Sequence, residues 1–252
     1  MRTLAPEVKG VTTRPEGASA AFLLVHGFCA APDEVTTLGN YLAERGIASF
    51  AVEIFGHAAS SKDIRETTWK DWYSSVLQGL DLIKTWGMEH ILVAGMSMGS
   101  AASALLASNE SGIDGLVLMA PALRISGILP KFIPILKYFM KDREIDVERI
   151  QKIYDVKRTK CQKEPISAYH ELFKLQKEAR KSLPKITTPT IILHGTEDKT
   201  INPDNGQLAF DRISSDDKEL HMIQGGEHVI TCHPTREVAF PIIHEFIERI
   251  TG

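Results

Sequence analysis

Ser97 stands at the centre of Gly95-Met96-Ser97-Met98-Gly99, between the apolar run 91–94 and the small-residue stretch 100–107. That context predicts a strand, a tight turn and a helix. In such a turn the serine is held in a strained backbone conformation that lifts its hydroxyl above the sheet edge. Side chains two residues to either side would collide, so glycine is needed there. Ala101, Ala102 and Ala104 let the helix lie close to the sheet, with its partially positive N-terminus aimed at the reacting centre. The chemistry expected is nucleophilic catalysis by Ser97.

A serine hydroxyl is a poor nucleophile near neutral pH and needs a positioned base, normally a histidine oriented by a carboxylate. The chain carries nine histidines. His90, His170 and His244 fall on predicted helices or strand edges among solvated neighbours, and His194 and His221 lie in or at the ends of strands, where structural histidines are common. His228 follows a strand through Gln224-Gly225-Gly226-Glu227, on a loop at the carboxyl edge where ligands bind in open α/β sheets. His233 is its nearest competitor. The acid is expected from another such edge, in His194-Gly195-Thr196-Glu197-Asp198. Asp198 is preferred to Glu197 because a shorter side chain is the commoner orienter of a triad histidine. The order Ser97, Asp198, His228 is that of an α/β-hydrolase, unlike the chymotrypsin and subtilisin orders.

Such chemistry also needs donors for the developing oxyanion. The Met98 N–H, directly after the nucleophile, is one. The loop Val25-His26-Gly27-Phe28-Cys29 supplies the other, with Gly27 turning the backbone inward and the Phe28 N–H donating.

The elements that position these groups follow from alternating periodicity, the pattern of a mainly parallel sheet with helices on both faces. Strands are predicted at 21–25, 49–54, 91–94, 115–119, 190–193 and 219–223. In the stretch 69–86, Trp69, Trp72, Tyr73, Val76, Leu77, Leu80, Ile83 and Trp86 recur at three- and four-residue steps, which makes a core-facing helix. Pro32, Asp33 and Glu34 suit a first helical turn. A last helix is expected over about 236–250, kinked or delayed by Pro241. Between the fourth and fifth of these strands lie about seventy residues, far more than an ordinary connection. Its first part, 125–140, is apolar and its second, 141–164, is dense in charge. We expect a core of 1–122 and 165–252 carrying a helical cap at 123–164, over the site.

The 252 residues include 29 basic and 32 acidic side chains, 43% hydrophobic residues and 3 cysteines. With no global positive field, nucleic acid is not an expected partner. Cys29, Cys161 and Cys232 are odd in number and widely spaced, which fits reduced thiols in a cytoplasmic protein, and no metal site is expected. The N-terminal residues lack the basic-then-apolar layout of a signal peptide. The run 18–25 is too short to span a bilayer.

Taken together, His26-Gly27-Phe28, the Gly56-His57 turn followed by Trp69 and Trp72, the Ser97 pentapeptide, His194-Gly195-Thr196-Glu197-Asp198 and Gly226-Glu227-His228 resemble the small bacterial carboxylesterase and monoacylglycerol lipase branch of the α/β-hydrolase superfamily. The resemblance runs from about residue 18 to the C-terminus. It implies an α/β-hydrolase fold with a small helical cap, ester hydrolysis through an acyl-enzyme, and no cofactor. Ser97 would be nucleophile, His228 base and then acid, Asp198 orienter, and Phe28 and Met98 the oxyanion hole. Relatives usually carry glycine where this chain has Ser100 and Ala58, and the cap matches least. For the cap the resemblance implies an apolar acyl tunnel, with Ile128, Leu129, Phe132, Ile133 and Leu136 as candidate lining, and a polar alcohol pocket that would include Gln162.

The expected activity is hydrolysis of short- to medium-chain acyl esters, monoacylglycerols foremost. The expected partner is a small-molecule acyl ester, and lipid would be touched only transiently, through the cap. The alternatives are a thioesterase, amidase, carbon–carbon bond hydrolase or perhydrolase using the same triad, or a non-catalytic ligand-binding protein. Matched ester, thioester and amide substrates separate the first group, and fluorophosphonate labelling of Ser97 separates the last.

Overall fold

The computed structural model describes residues 8–57, 61–125, 133 and 140–252. Its strands are β1 (Gly10–Thr13), β2 (Ala20–Val25), β3 (Ala48–Val52), β4 (His90–Met96), β5 (Gly115–Met119), β6 (Asp142–Glu144), β7 (Lys163–Pro165), β8 (Thr190–Gly195) and β9 (Lys218–Ile223). Seven of them form one sheet in the order β1-β3-β2-β4-β5-β8-β9. All neighbours are parallel except β1, which runs antiparallel to β3. Strands β2, β3, β4 and β5 are buried on both faces over nearly their whole length, which is why they read as short continuous apolar runs.

Helices α1 (Thr36–Ala43), α2 (Ser61–Arg65), α3 (Trp69–Lys84), α4 (Met98–Asn109), α5 (Val147–Gln151), α6 (Ile166–Ser182), α7 (Asp204–Arg212) and α8 (Arg236–Thr251) connect or flank these strands. On one face of the sheet Trp72, Val76 and Leu80 of α3 pack with Leu106 of α4 and with Leu172 and Leu175 of α6. On the other, Leu38 and Leu42 of α1 pack with Phe240, Ile243 and Phe246 of α8. Helix α4 is buried all round, with ten of its residues inside. Its alanines therefore serve close approach on every side rather than one stripe.

All six predicted strands are present, and the fold is the α/β-hydrolase sheet expected from the sequence. Three features differ. β1 was not expected: it is a short, mostly exposed strand, and it covers the outer edge of β3, where an open ladder would otherwise face solvent. Helix α8 begins at Arg236 with Pro241 inside it, so the proline does not delay the start. The N–H it lacks would have met the carbonyl of exposed Glu237, a place where water can replace the bond. The segment expected as a helical cap is not wholly helical in its described part. β6 pairs antiparallel with β7, Asp142 opposite Pro165 and Glu144 opposite Lys163, and α5 lies between them.

Candidate active site

Ser97 sits between β4 and α4 with φ 56° and ψ −115°, a left-handed conformation costly for a residue with a side chain. Backbone bonds hold it there: Ser97 N–H donates to Met119 O at 2.9 Å, and Ala122 N–H donates to Ser97 O at 3.1 Å. The two flanking glycines are required by close approach. A Cβ on Gly95 would lie 2.4 Å from Gly99 O, and one on Gly99 would lie 2.1 Å from Val25 O. Ser100 reaches back to Gly95 O at 2.6 Å and Met119 O at 2.8 Å, so its hydroxyl strengthens the same turn.

The loops after β8 and β9 are stitched together. Glu197 N–H donates to Gly226 O at 2.9 Å and Gly225 N–H to Thr196 Oγ1 at 2.9 Å. This brings Asp198 beside His228, whose Nδ1 donates to Asp198 Oδ2 at 2.7 Å. The other ring nitrogen, Nε2, accepts from Ser97 Oγ at 2.9 Å. The three residues expected from the sequence are thus joined in one hydrogen-bonded chain. Exposed Glu197 takes no part in it, and His233 pairs instead with Thr235 Oγ1 at 2.8 Å.

Four donors surround Asp198. Oδ1 accepts Thr200 N–H at 2.8 Å and Ile201 N–H at 2.9 Å, while Oδ2 accepts both His228 and His194, the latter at 3.1 Å. Burial raises the pKa of this carboxyl, but the hydrogen bonds from His194 and His228 and the His228 charge outweigh it, and the group is held well below the usual carboxylate range. His194, read from sequence as a structural histidine, is a direct support of this carboxylate. Its position four residues before Asp198, at the end of a strand, was the available signal.

The loop after β2 is anchored peptide by peptide. Gly27 N–H donates to Glu34 Oε2 at 2.6 Å. Gly27 O accepts from His26 Nδ1 at 2.9 Å. Phe28 O accepts from Lys160 Nζ at 2.8 Å, and Cys29 O accepts Cys161 N–H at 3.0 Å. Neither Phe28 N–H nor Met98 N–H has a protein partner among the described residues. Behind the loop Phe28 packs against Trp72, Tyr169 and His57, with ring centroids 6.0, 5.1 and 5.9 Å away.

Ser97, Met98, Phe28 and His228 open onto a cavity of about 550 Å³, within the range of small-molecule sites. Much of its wall is aliphatic and aromatic, including Ile125, Ile133, Ile145, Ile153, Leu172 and Phe173. Of the lining expected from the sequence, Ile133 is buried in this wall, whereas Ile128, Leu129, Phe132 and Leu136 lie outside the described residues. The expectation for Gln162 is corrected. Its side chain is exposed and absent from the wall, because its backbone closes the β6–β7 ladder through Ile145 N–H, at 2.8 Å from Gln162 O. The polar part of the wall includes Glu34, Arg158, Lys160 and Glu164, none of them expected there from the sequence.

Nucleophile, base and buried carboxylate in this geometry, beside unpartnered backbone donors, have the parts needed for acyl transfer. The family model Hydrolase_4, described as serine aminopeptidase S33, matches residues 16–234. The chain belongs to this family. Within it, this α/β-hydrolase falls in the branch of curated carboxylesterases and monoacylglycerol lipases. It is 27% identical over 246 residues to a carboxylesterase of Bacillus subtilis (strain 168), covering 96% of this chain and 99% of the relative. It is 28% identical over 246 residues to a thermostable monoacylglycerol lipase of Bacillus sp. (strain H-257), covering 94% of each. Its fold superimposes on a soluble variant of the Saccharomyces cerevisiae monoglyceride lipase with a TM-score of 0.79 at 17% identity, over 98% of this chain and 96% of that one. Among the described residues of this hydrolase, no helix is long and apolar enough to cross a membrane.

Proposed function

We propose that this hydrolase cleaves short- to medium-chain carboxylic acyl esters, monoacylglycerols foremost, through an acyl-enzyme on Ser97. The observation that carries the reading is the unbroken Asp198–His228–Ser97 hydrogen-bond chain at the floor of a largely apolar cavity. His228 Nε2 takes the Ser97 proton as the oxygen attacks the ester carbonyl. The imidazolium is stabilised by Asp198, already ionised and fully hydrogen-bonded. The Phe28 and Met98 N–H groups receive the oxyanion, and His228 then gives its proton to the leaving alcohol. Water repeats the sequence on the acyl-enzyme, with His228 again as base.

In this reading residues 123–164 form the cap over a core of 1–122 and 165–252, and the isoleucine-rich wall takes the acyl chain. The exposed apolar Met140 and Ile153 favour transient contact between the cap and a lipid surface, from a cytoplasmic enzyme. The thermostable lipase and the carboxylesterase among the relatives support glycerol or simple alcohol esters as the substrate class.

Two measurements test this. Ser97→Ala should abolish hydrolysis of a p-nitrophenyl acyl ester with the thermal midpoint unchanged within a few degrees, and near wild-type activity would overturn the mechanism. An acyl-length series with matched glycerol and methyl esters should show a maximum at short to medium chains and a preference for glycerol. Equal rates on both alcohols would remove the monoacylglycerol assignment.

A further inference from the structure

Glu34 belongs to the turn Pro32–Glu34, six residues beyond the expected oxyanion donor Phe28, and its side chain is buried at 4% exposure. Both carboxylate oxygens are used. Oε2 accepts the Gly27 N–H at 2.6 Å, and Oε1 accepts Arg158 Nη1 at 2.8 Å. Arg158 is itself only 6% exposed and comes from the segment between β6 and β7. The backbone carbonyl of Glu34 accepts from Thr231 Oγ1 and, at 3.6 Å, from Cys232 Sγ, just after His228. One residue thereby ties together the loop after β2, the loop of His228 and the segment over the cavity.

We infer that Glu34 is a positioning residue for the oxyanion-binding loop and that Arg158, reaching in from the cap segment, supplies the charge that lets it act; this rests on the oxyanion role proposed for Phe28 and Met98. Gly27 is held on both sides, its N–H by Glu34 and its carbonyl by His26 Nδ1. The Gly27 carbonyl and the Phe28 N–H share one planar peptide, so fixing the first aims the second. A carboxylate acceptor makes a stronger, shorter bond than a neutral one. An uncompensated carboxylate in the wall of this cavity would, however, oppose the negative charge formed on the substrate. The Arg158 guanidinium removes that conflict, and Thr159, with N–H and Oγ1 both 2.7 Å from Asp33 Oδ2, holds the same strap against the same turn. The cap segment therefore contributes to the chemical step as well as to substrate enclosure.

The test compares Arg158→Met, Glu34→Ala, Glu34→Gln and the double variant Glu34→Gln/Arg158→Met on a p-nitrophenyl acyl ester. Rates are expressed per fluorophosphonate-titrated site, so that a smaller folded fraction is not counted as slower chemistry. Arg158→Met, which strands the charge, and Glu34→Ala, which removes the acceptor, should each lower kcat about 10- to 100-fold with KM within about threefold, less than loss of an oxyanion donor itself. The double variant has no stranded charge and keeps an amide oxygen for Gly27, and should recover to within about threefold of Glu34→Gln alone. If Glu34→Ala does not fold, Arg158→Met and the double variant carry the comparison. Unchanged kcat per site in Arg158→Met and Glu34→Ala, an effect confined to KM, or a double variant as slow as the product of its singles would overturn the inference. An active Ser97→Ala enzyme would instead overturn the underlying mechanism.

Discussion

His26 holds the carbonyl of its own neighbour Gly27, and because His26 Nε2 is already occupied as acceptor of the Ile54 N–H at 3.1 Å, its proton must sit on Nδ1. The tautomer that satisfies the end of β3 is therefore the one that orients the Phe28 peptide. His26→Phe removes both bonds. We expect kcat per titrated site to fall about tenfold or more, and stability to fall by about 1–3 kcal/mol as the Ile54 N–H is orphaned. Active-site titration and thermal denaturation of the same preparation check the two effects separately.

Asp198 receives four donors, and an asparagine there could satisfy them only in part. Asp198→Asn leaves one oxygen and one NH2, so the amide must face away from either the two backbone N–H groups or the two histidines. The rate of acyl transfer is expected to fall about 10³- to 10⁴-fold, as a triad histidine loses the partner that fixes its tautomer. Stopped-flow acylation is the measurement, and a loss below about tenfold would remove Asp198 from the assigned role.

Two separate pH windows should appear in stability. Burial lowers the pKa of His26, against the opposing Gly27 hydrogen bond, and burial together with the His26 charge lowers that of His57 further. Each folded value lies below the unfolded value of about 6.5, so the unfolded chain binds more protons in between. Their contribution is complete above about pH 6.5 and declines as pH falls below it. Asp198 is also depressed, so its contribution is complete above about pH 4 and is lost on further acidification. Thermal midpoints from pH 8 to 3 should show both limbs. His57→Phe should reduce the upper one to the His26 part and spare the lower, which belongs to Asp198.

The three thiols should differ sharply in reactivity. A hydrogen bond from Cys29, with help from the Lys160 charge and against burial, lowers the Cys161 pKa below that of an ordinary thiol. The same contact and burial raise that of Cys29, and burial pushes that of Cys232 up to about 12. Iodoacetamide at pH 7 should therefore alkylate Cys161 first, as read by peptide mass spectrometry. Cys161→Ser should abolish the fast phase and leave the other two protected until the chain unfolds.

The chemistry was legible in the sequence where it depends on local constraint. The steric demand around Ser97 writes itself as Gly95 and Gly99, and strand ends mark the loops of Asp198 and His228. Glu34 was not legible as a buried acceptor. Beside Asp33 it reads as an ordinary acid of a first helical turn, and what distinguishes it is Arg158, 124 residues away. His194 escaped for a similar reason: its bond to Asp198 exists only once the loop after β8 folds back. The ladder of β6 with β7 is three residue pairs long and polar, with no periodicity to announce it. Gln162 was misplaced because its distance from the site along the chain says nothing of which way a hairpin turns its side chain.

The backbone of Ser97 is a spring held shut by its neighbours. Its φ of 56° persists only while β5 supplies the Met119 carbonyl and the chain beyond supplies the Ala122 N–H. Loosening that one junction lets the residue relax to an ordinary conformation and swing its hydroxyl away from His228, with sheet and helices still in place. On heating, hydrolysis should therefore disappear several degrees before helical circular dichroism does, so that turnover reports the integrity of a single strand junction while spectroscopy reports the whole molecule.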